Sequence, residues 1–355
     1  MTVTGSRANL IGTGLVGGSI GFALRHLGWH VSGIDANEVR AARARERGAL
    51  DDLGLDADAS VTFVAVPVQS VPDAVRRALA ETGGYVTDVG SVKGSIVDAV
   101  DDPRFVGGHP MAGSEQDGLD GADPNLFEGA VWVLTPTATT GDDAFAAVRS
   151  AVTSFGADVV ALSPERHDAL VAVVSHVPHL TAATLMHLAD ERSEEHRALL
   201  RLAAGGFRDM TRIAAGHPGI WPDICAENRP AIVEMLDRLI AGLSDMRDIV
   251  DKSDREGLLA VLERAHVARR NLPARIAHPD EMSEVRVPVP DRAGVLADVT
   301  TLAAELDVSI ADLEIAHSSE GDAGVLILLV PSDRVERFHG GLLARGYRPA
   351  VRTLE

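Results

Sequence analysis

The fold is decided by the stretch Asn9-Leu10-Ile11-Gly12-Thr13-Gly14-Leu15-Val16-Gly17-Gly18-Ser19-Ile20. It places G-x-G-x-x-G between a short apolar run and a segment with helical periodicity, which is the fingerprint of a dinucleotide-binding βαβ unit. Gly12 permits the tight turn, Gly14 lets the backbone approach a pyrophosphate, and Gly17 allows the helix to lie close to the sheet. The stretch therefore predicts a cofactor site at the end of the first strand.

The choice of dinucleotide depends on the residue that follows the second apolar run. Asp35 stands there, within a few residues of the expected ~20-residue offset. A carboxylate at this place accepts hydrogen bonds from ribose hydroxyls and repels a 2′-phosphate, so the sequence predicts NAD as the cofactor. Arg40, in the following helix, would attract that phosphate and leaves NADP open. The N–H groups of Leu15 and Val16, which begin the first helix, are expected to face the pyrophosphate.

Short apolar runs alternate with helical patterns up to residue 162, which predicts a parallel sheet wrapped by helices. The runs are Asn9–Ile11, Val31–Ile34, Val61–Val66, Tyr85–Val89, Phe105–Gly108, Val131–Leu134 and Asp158–Leu162. We therefore assign residues 1–162 to a Rossmann-type α/β domain that binds a dinucleotide.

Two further domains are expected beyond this one. Ser163-Pro164-Glu165 supplies a cap, a proline and an acid for a first helical turn, and helical periodicity dominates from there. Residues 163–278 are thus predicted to form an all-α domain whose apolar faces need a second subunit, which indicates a homodimer. After a linker containing Pro, His and Asp, residues 283–355 predict the order βαββαβ of a ferredoxin-like domain.

Composition and charge limit the possible functions. The chain has 355 residues, of which 46% are hydrophobic and 24% charged, so about two or three domains are expected. The net charge of -19 disfavours nucleic acid and anionic membrane surfaces as partners. Cys225 is the single cysteine, which excludes an intrachain disulfide and fits a cytoplasmic setting. The first apolar run is too short for a signal peptide or a membrane span.

Polar side chains follow two neighbouring strands of the predicted sheet. His109 comes after the run that ends at Gly108, and Ser91 and Lys93 come after the run that ends at Val89. Because ligands bind at the carboxyl ends of strands in doubly wound folds, we expect these groups at one rim. A neutral histidine there suits general-base catalysis. Ser91 fits equally well as the N-cap of the following helix.

Four ordered motifs resemble the prephenate and arogenate dehydrogenase family of tyrosine biosynthesis. They are Asp88–Gly94, Gly107–Glu115, Ser175–His179 and Gly205–Ala214. The resemblance implies NAD-dependent oxidative decarboxylation of prephenate to 4-hydroxyphenylpyruvate. Arogenate dehydrogenase, which gives tyrosine directly, stays open because the two substrates differ only in a keto or amino group. His179 would accommodate the keto acid, which favours prephenate.

The resemblance also implies roles for individual residues. His109 would hydrogen-bond the ring hydroxyl of the substrate with the assistance of Ser91, and Arg212 would hold a substrate carboxylate. The chemistry suits these residue types, since the planar guanidinium binds carboxylate bidentately and keeps its charge. From the residues alone, Arg212 fits a surface ion pair as well.

Four more roles come only from the resemblance. His179 would lie near the substrate side chain, Glu115 and Asp209 would gate the pocket, and Trp221 would come from the neighbouring subunit. Plainer interpretations stay open: capping or solvated acids for the two carboxylates, and core packing for the tryptophan. His176 and His179 fit core histidines better than a metal pair, so no metal site is expected.

The segment Asp291-Arg292-Ala293-Gly294-Val295-Leu296 resembles the ligand loop of ACT-type regulatory domains, which bind amino acids. The turn at Gly294 would leave backbone N–H groups for an amino-acid carboxylate. The resemblance therefore implies an effector at this loop, with tyrosine as the end product that we expect. A domain used only for assembly stays open.

Two other functions remain open from the sequence. A non-enzymatic sensor would join the dinucleotide domain to an amino-acid domain, but the patterns around His109 and Arg212 argue against it. A β-hydroxyacid dehydrogenase has a similar domain plan but usually relies on a lysine in its helical domain. No lysine occurs here between Lys93 and Lys252.

Overall fold

The computed structural model describes residues 6–113, 116, 118–195, 202–271, 282–290, 292–317 and 323–353. Its contacts form two compact units. The first unit comprises Met1–Leu200 and Met210–Arg247, and the second unit comprises Arg201–Asp209 and Asp248–Glu355.

The first unit contains a sheet whose eight strands lie within the described residues. They are β1 (Arg7–Ile11), β2 (His30–Ile34), β3 (Asp52–Leu53), β4 (Val61–Val64), β5 (Tyr85–Asp88), β6 (Phe105–Pro110), β7 (Val131–Thr135) and β8 (Asp158–Ala161). Their order across the sheet is β3-β2-β1-β4-β5-β6-β7-β8. The order reverses between β1 and β4, where doubly wound folds bind ligands. The prediction of a Rossmann-type domain is confirmed.

The expected all-parallel sheet is wrong at one edge. Strands β1 to β6 run parallel to their neighbours, but β7 pairs antiparallel with β6 and parallel with β8. In its described residues the β6–β7 connection holds a 3₁₀ turn, Gly118–Gly121, and no α-helix. It therefore lacks the helical crossover by which parallel strands are joined, and the chain returns antiparallel.

Five helices pack on this sheet in the described residues. They are α1 (Leu15–His26), α2 (Glu38–Glu46), α3 (Val71–Glu81), α4 (Gly94–Ala99) and α5 (Asp142–Thr153). Fully buried side chains from the strands, such as Leu10, Phe63 and Trp132, fill the layer between sheet and helices. The close approach of α1 requires glycine, because a Cβ at Gly17 would lie 2.0 Å from the carbonyl oxygen of Gly12.

The middle of the chain is helical, as predicted. Its helices are α6 (Pro164–Val171), α7 (Val177–Glu195), α8 (Gly205–Thr211), α9 (Trp221–Glu227), α10 (Arg229–Asp251) and α11 (Arg255–Arg270). The side chain of Ser163 caps α6 by accepting from the N–H of Arg166. A π-helical turn, Ala172–His176, joins α6 to α7, and π turns of this kind often occur at functional sites. The helical stretch continues through Pro178, which follows the π turn by two residues.

One helical stretch among the described residues, Pro164–Arg192, is long and apolar enough to cross a membrane by length and composition. A core helix passes the same test, and 33% of the apolar window is buried in the protein. The stretch also carries His167, Asp168 and His176, which hydrogen-bond within the chain. These contacts favour a helix packed in the protein interior.

The C-terminal residues form the predicted βαββαβ domain. Its elements are β9 (Met282–Pro290), α12 (Val295–Glu305), β10 (Asp312–His317), β11 (Ala323–Pro331), α13 (Val335–Ala344) and β12 (Ala350–Thr353). The strands pair antiparallel in the order β10-β11-β9-β12. Buried Val285 and Leu328 on the sheet pack with Val299 and Phe338 on the two helices. The ferredoxin-like arrangement is confirmed.

Candidate active site

His109 lies at the carboxyl end of β6, inside the strand and not after it as predicted. The strand continues to Pro110 because β7 pairs with it, with His109 opposite Val133. The ring of His109 meets a second histidine, with its Nδ1 2.8 Å from Nε2 of His167. His167 is fully buried, and its Nδ1 lies 2.8 Å from Oδ1 of Asp168. Three side chains thus form one hydrogen-bonded chain from helix α6 to the rim of the sheet.

Asp168 also holds the turn that contains Ser91. Its Oδ1 accepts from the backbone N–H of Lys93 and its Oδ2 from that of Gly94, both at 2.8 Å. These two N–H groups begin α4, so Asp168 does the work of an N-cap from another helix. The interpretation of Ser91 as the cap is therefore wrong. Ser91 lies half-buried in the turn beside the rim.

The ammonium of Lys93 lies beneath the rim and not on it, which corrects the sequence prediction. Its side chain is fully buried and forms an ion pair with the buried carboxylate of Asp88. Asp88 also accepts N–H hydrogen bonds from Gly90 at 2.8 Å and Gly108 at 3.1 Å. A buried carboxylate at the end of β5 needs such partners, and Lys93 turns inward to supply one. Through the N–H group of Gly108, Asp88 ties the end of β5 to β6 at the residue before His109.

The electrostatics of the site keep His109 neutral. Burial holds the pKa of His109 well below its ordinary value, and nearby His167, Lys93 and His176 lower that pKa further. Burial raises the pKa of Asp168, but hydrogen bonds from His167 and from the N–H groups of Gly94 and Lys93 outweigh it and lower the pKa overall. At neutral pH the site therefore combines an ionised carboxylate with a histidine that can accept a proton.

His179 and Trp221 form a stacked pair next to this cluster. Their rings lie 3.6 Å apart between centroids, with 14° between the planes. Trp221 thus contacts His179 of its own chain, while its contribution to a neighbouring subunit stays a prediction. His176 faces the same indole edge-on, and its Nδ1 lies 3.2 Å from Nδ2 of Asn228. Burial lowers the pKa of His176 to about 4.

For the remaining predicted substrate residues, the structure gives a position for Arg212 and Asp209 but not for Glu115. Arg212 is exposed at the start of a 3₁₀ turn, Arg212–Ala215, which packs against α7, the helix that carries His179. Asp209 is an exposed residue of α8 and belongs to the second unit. Glu115 lies outside the described residues.

The cofactor motif has the geometry that a pyrophosphate needs. Gly12 has a φ of +96°, and a Cβ there would lie 2.2 Å from the carbonyl oxygen of Ala65, so only glycine fits. A Cβ on Gly14, the N-cap of α1, would meet no atom within 4 Å, which leaves open space beside the helix terminus. Leu15 and Val16 form the first turn of α1 at this point. These residues fit a dinucleotide phosphate.

Asp35 faces a cavity of about 650 Å³ at the carboxyl ends of β1 and β2. Its Oδ2 accepts from the N–H of Thr13 at 2.9 Å, and its Oδ1 accepts from the N–H of Asn37 at 2.8 Å. Burial opposes ionisation, but these hydrogen bonds and Arg40 at 3.1 Å lower the pKa of Asp35. The carboxylate is therefore ionised and oriented. It also pairs with Arg40, the residue that the sequence analysis identified as a possible partner of a 2′-phosphate.

Comparison with known proteins shows the family to which this chain belongs. A family model described as the nucleotide-binding domain of prephenate dehydrogenase matches residues 20–161, and one described as its dimerization domain matches residues 163–264. The prephenate dehydrogenase of Bacillus subtilis is 35% identical over 342 residues, which cover 91% of this chain and 92% of the relative. The chain belongs to the prephenate dehydrogenase family. As a member, it is an oxidoreductase with a dinucleotide-binding domain.

Solved structures of other prephenate and arogenate dehydrogenases have the same fold. Prephenate dehydrogenase from Aquifex aeolicus, in complex with hydroxyphenyl propionate and NAD+, matches with a TM-score of 0.70 and 30% identity. The match covers 74% of this chain and 97% of that one. Synechocystis arogenate dehydrogenase matches with a TM-score of 0.65 and 29% identity, over 74% of this chain and 98% of that one.

Four residues of the cluster have no counterpart among the sequence predictions of site residues. His167 and Asp168 lie on α6, and Asn228 lies between α9 and α10. Asp88, at the end of β5, was noted only as part of a motif. Asn228 donates to the backbone oxygen of Asp168 at 2.8 Å and so links the end of α9 to α6. The sequence signal for the first two is slight: they follow the capped start of α6 by a single turn.

Proposed function

We propose that this chain catalyses the oxidative decarboxylation of prephenate, giving 4-hydroxyphenylpyruvate, CO2 and NADH from prephenate and NAD+. The observation that carries the proposal is a neutral His109 at the carboxyl end of β6, buttressed by a buried histidine and carboxylate. The 35% identity to the Bacillus subtilis prephenate dehydrogenase over nearly the whole chain supports the choice of substrate.

His109 acts as the base in this reaction. Its neutral ring takes the proton of the hydroxyl at C4 of the substrate as that carbon becomes a ketone, with Ser91 assisting at the same oxygen. NAD+, held by the glycine turn and Asp35, would supply the acceptor for the hydride that leaves C4. Loss of CO2 from C1 then makes the ring aromatic, and the proton returns from His109 to the ring oxygen, so no net proton is released.

The substrate is held by residues around α7. Arg212 binds a substrate carboxylate, and His179 with Trp221 borders the side chain of the substrate. Glu115 and Asp209 gate entry to the pocket. These assignments rest on the family resemblance: Arg212, His179, Glu115 and Asp209 stand in its motifs, and Trp221 follows the last of them.

NAD is the proposed cofactor because of Asp35. Its ionised carboxylate receives the ribose hydroxyls and repels a 2′-phosphate, while Arg40 is held in an ion pair with it. Gly12, Gly14 and Gly17 carry the turn and the helix start that receive the pyrophosphate.

Arogenate is the second candidate substrate, favoured by the structural match to the Synechocystis arogenate dehydrogenase. Initial rates with prephenate and arogenate, each measured with NAD and with NADP, separate the alternatives. We expect the highest kcat/KM with prephenate and NAD. A higher kcat/KM with arogenate would replace the proposed substrate, and no NADH or NADPH with either substrate would favour a non-enzymatic sensor.

A homodimer is proposed for the helical domain, which matches the model described as a dimerization domain. Ile240 and Leu243, one turn apart on α10, are 62% and 58% exposed and need an apolar partner surface. Light scattering of the purified chain is expected to give twice the mass of 37.4 kDa. We propose domain limits of 1–162, 163–278 and 283–355, and a cytoplasmic location.

The C-terminal domain is proposed to bind an amino-acid effector, tyrosine, through the loop before α12. Gly294 takes a φ of +90° there and caps the helix, and Ala293 and Leu296 are exposed beside it. Val295 is buried and anchors the loop to the domain core. Asp291, the first residue of this predicted site, lies outside the described residues.

A further inference from the structure

We propose that His167 and Asp168 are positioning residues that set the tautomer of His109 and stabilise the charge it gains during the reaction. This inference rests on the proposed function, since it concerns the base of that reaction. The motifs of the family resemblance assigned no role to either residue. Two hydrogen bonds of 2.8 Å carry it, from His109 to His167 and from His167 to Asp168.

The proton positions follow from the carboxylate outward. An ionised Asp168 only accepts hydrogen bonds, so the Nδ1 of His167 that faces it carries hydrogen and donates. In a neutral ring the other nitrogen of His167, Nε2, is then an acceptor. It faces Nδ1 of His109, which must therefore carry the hydrogen of that ring. The lone pair of His109 is left on Nε2, the nitrogen available to a substrate.

The position of Asp168 is fixed, so it determines which nitrogens of His167 and His109 carry hydrogen. Both of its oxygens accept backbone N–H bonds at the start of α4, which fixes the carboxyl plane and keeps the group ionised. His167 is fully buried between Asp168 and His109, so water does not compete for its nitrogens. Among the residues that the structure describes, the other charged or titratable groups that act on His109 are Lys93, paired with Asp88, and His176.

His167 and Asp168 also stabilise the positive charge that His109 gains close to Lys93. When Nε2 of His109 takes the hydroxyl proton, the ring becomes a cation close to the buried ammonium of Lys93. The Nδ1 hydrogen of His109 can pass along the 2.8 Å bond to Nε2 of His167, which moves the charge to a ring in contact with the Asp168 carboxylate. Once CO2 has left, the same movements run backwards and the phenol oxygen recovers the proton.

The same carboxylate links both groups that touch the substrate hydroxyl. Through His167 it orients His109, and through the N–H groups of Lys93 and Gly94 it fixes the turn that carries Ser91. Helix α6 therefore supplies the common support for two side chains that come from neighbouring strand ends. Because Asp168 serves both, substitution of His167 isolates the tautomer effect more cleanly than substitution of Asp168.

Two substitutions of His167 test the proposal by kinetics. His167→Leu removes the acceptor for Nδ1 of His109 and is expected to lower kcat by at least about 10-fold, but by less than the ~10²–10⁴-fold that loss of a base costs. His167→Gln keeps an amide oxygen within reach and should retain more of kcat than the leucine variant. KM should change little in both. The control, His187→Asn, alters an exposed histidine of α7 and should match the wild type.

A spectroscopic measurement tests the tautomer without any turnover. Long-range ¹⁵N–¹H correlation on the full chain labelled with ¹⁵N-histidine distinguishes Nδ1–H from Nε2–H, and His109→Asn identifies the signal of His109. We expect Nδ1–H in the wild type and a shift toward Nε2–H in His167→Leu. An Nε2–H tautomer in the wild type would overturn the proposal. So would equal kcat in wild type and a folded His167→Leu variant.

Failure of the inference and failure of the proposed function look different. If wild type does not turn over prephenate, the tautomer of His109 can still be read from the spectrum. If wild type is active and the spectrum shows Nε2–H, the base assignment survives while the role of His167 and Asp168 is refuted.

Discussion

Among single residues, His109 is the proposed base that takes the proton from the substrate hydroxyl. His109→Asn is expected to lower kcat by ~10²–10⁴-fold with KM close to normal, because the amide still hydrogen-bonds the substrate but is not a base. Steady-state kinetics of NADH formation measure both parameters, with His187→Asn as the control. Full kcat in His109→Asn would remove this residue from the chemistry.

The pH dependence reports on the same residue. An ordinary histidine titrates at about 6.5, and protonation would abolish its function as a base. Since burial and the neighbouring groups hold the pKa of His109 in the substrate-free chain well below that value, kcat/KM should stay level from pH 8 through 6.5 and fall only in more acidic solution. A fall of kcat/KM centred at 6.5 or above in the wild type would contradict this environment for His109.

Arg212 is expected to act on binding. Arg212→Ala should raise KM by about 10- to 100-fold, which corresponds to ~1.5–3 kcal/mol for a charge-assisted contact, with a smaller change in kcat. Arg212→Lys should recover only part of the loss, since an ammonium does not form the bidentate fork. Arg264→Ala on α11 is the matched control. An unchanged KM in a folded Arg212→Ala variant would exclude it from the substrate site.

Sequence reasoning found the residues that stand in motifs and missed those that support them. His109 and Ser91 were predicted because each follows a recognisable strand. His167 lies 58 positions from His109 in the chain, and its contact with that ring depends on how α6 packs on the sheet. No spacing pattern encodes such a contact. Lys93 was misplaced for a different reason: Asp88, which draws it inward, is only five residues away, but its burial depends on the packing of β5 against β6.

At the scale of elements, the crevice between β1 and β2 selects the cofactor. Asp35→Ser removes the charge that repels a 2′-phosphate and frees Arg40 from its ion pair, so the ratio of kcat/KM for NAD to that for NADP should fall. Initial rates with both cofactors measure it, with Asp58→Ser, an exposed acid at the other end of the sheet, as control. A wild-type enzyme that is faster with NADP at equal concentration would contradict the role of Asp35.

Elements were predicted best where local signals are strong. The glycine motif, the Ser163 cap and the six C-terminal elements all lie where the sequence put them, within a few residues. The direction of β7 was not predictable from its apolar pattern, because that pattern is the same in both orientations. It depends on the connection from β6, which lacks a crossover helix in its described residues.

At the scale of the whole molecule, the C-terminal domain should make activity depend on an amino acid. Tyrosine is expected to inhibit the intact chain, and coupling of ~1–3 kcal/mol is typical of two linked sites. Gly294→Val should weaken the response, since a β-branched residue does not tolerate the φ of +90° at this loop. Gly340→Ala in α13 is the control in the same domain. Absence of tyrosine binding by calorimetry, with unchanged kinetics, would leave the domain a role in assembly only.

In the proposed reaction, this chain couples hydride transfer to loss of CO2 from prephenate. One measurement tests it most directly: NADH and 4-hydroxyphenylpyruvate are quantified together after wild-type enzyme acts on prephenate and NAD. We expect the two products in equal amounts, with both formed ~10²–10⁴-fold more slowly by His109→Asn. Absence of both products with folded wild-type enzyme, or NADH without 4-hydroxyphenylpyruvate, would refute the proposed reaction.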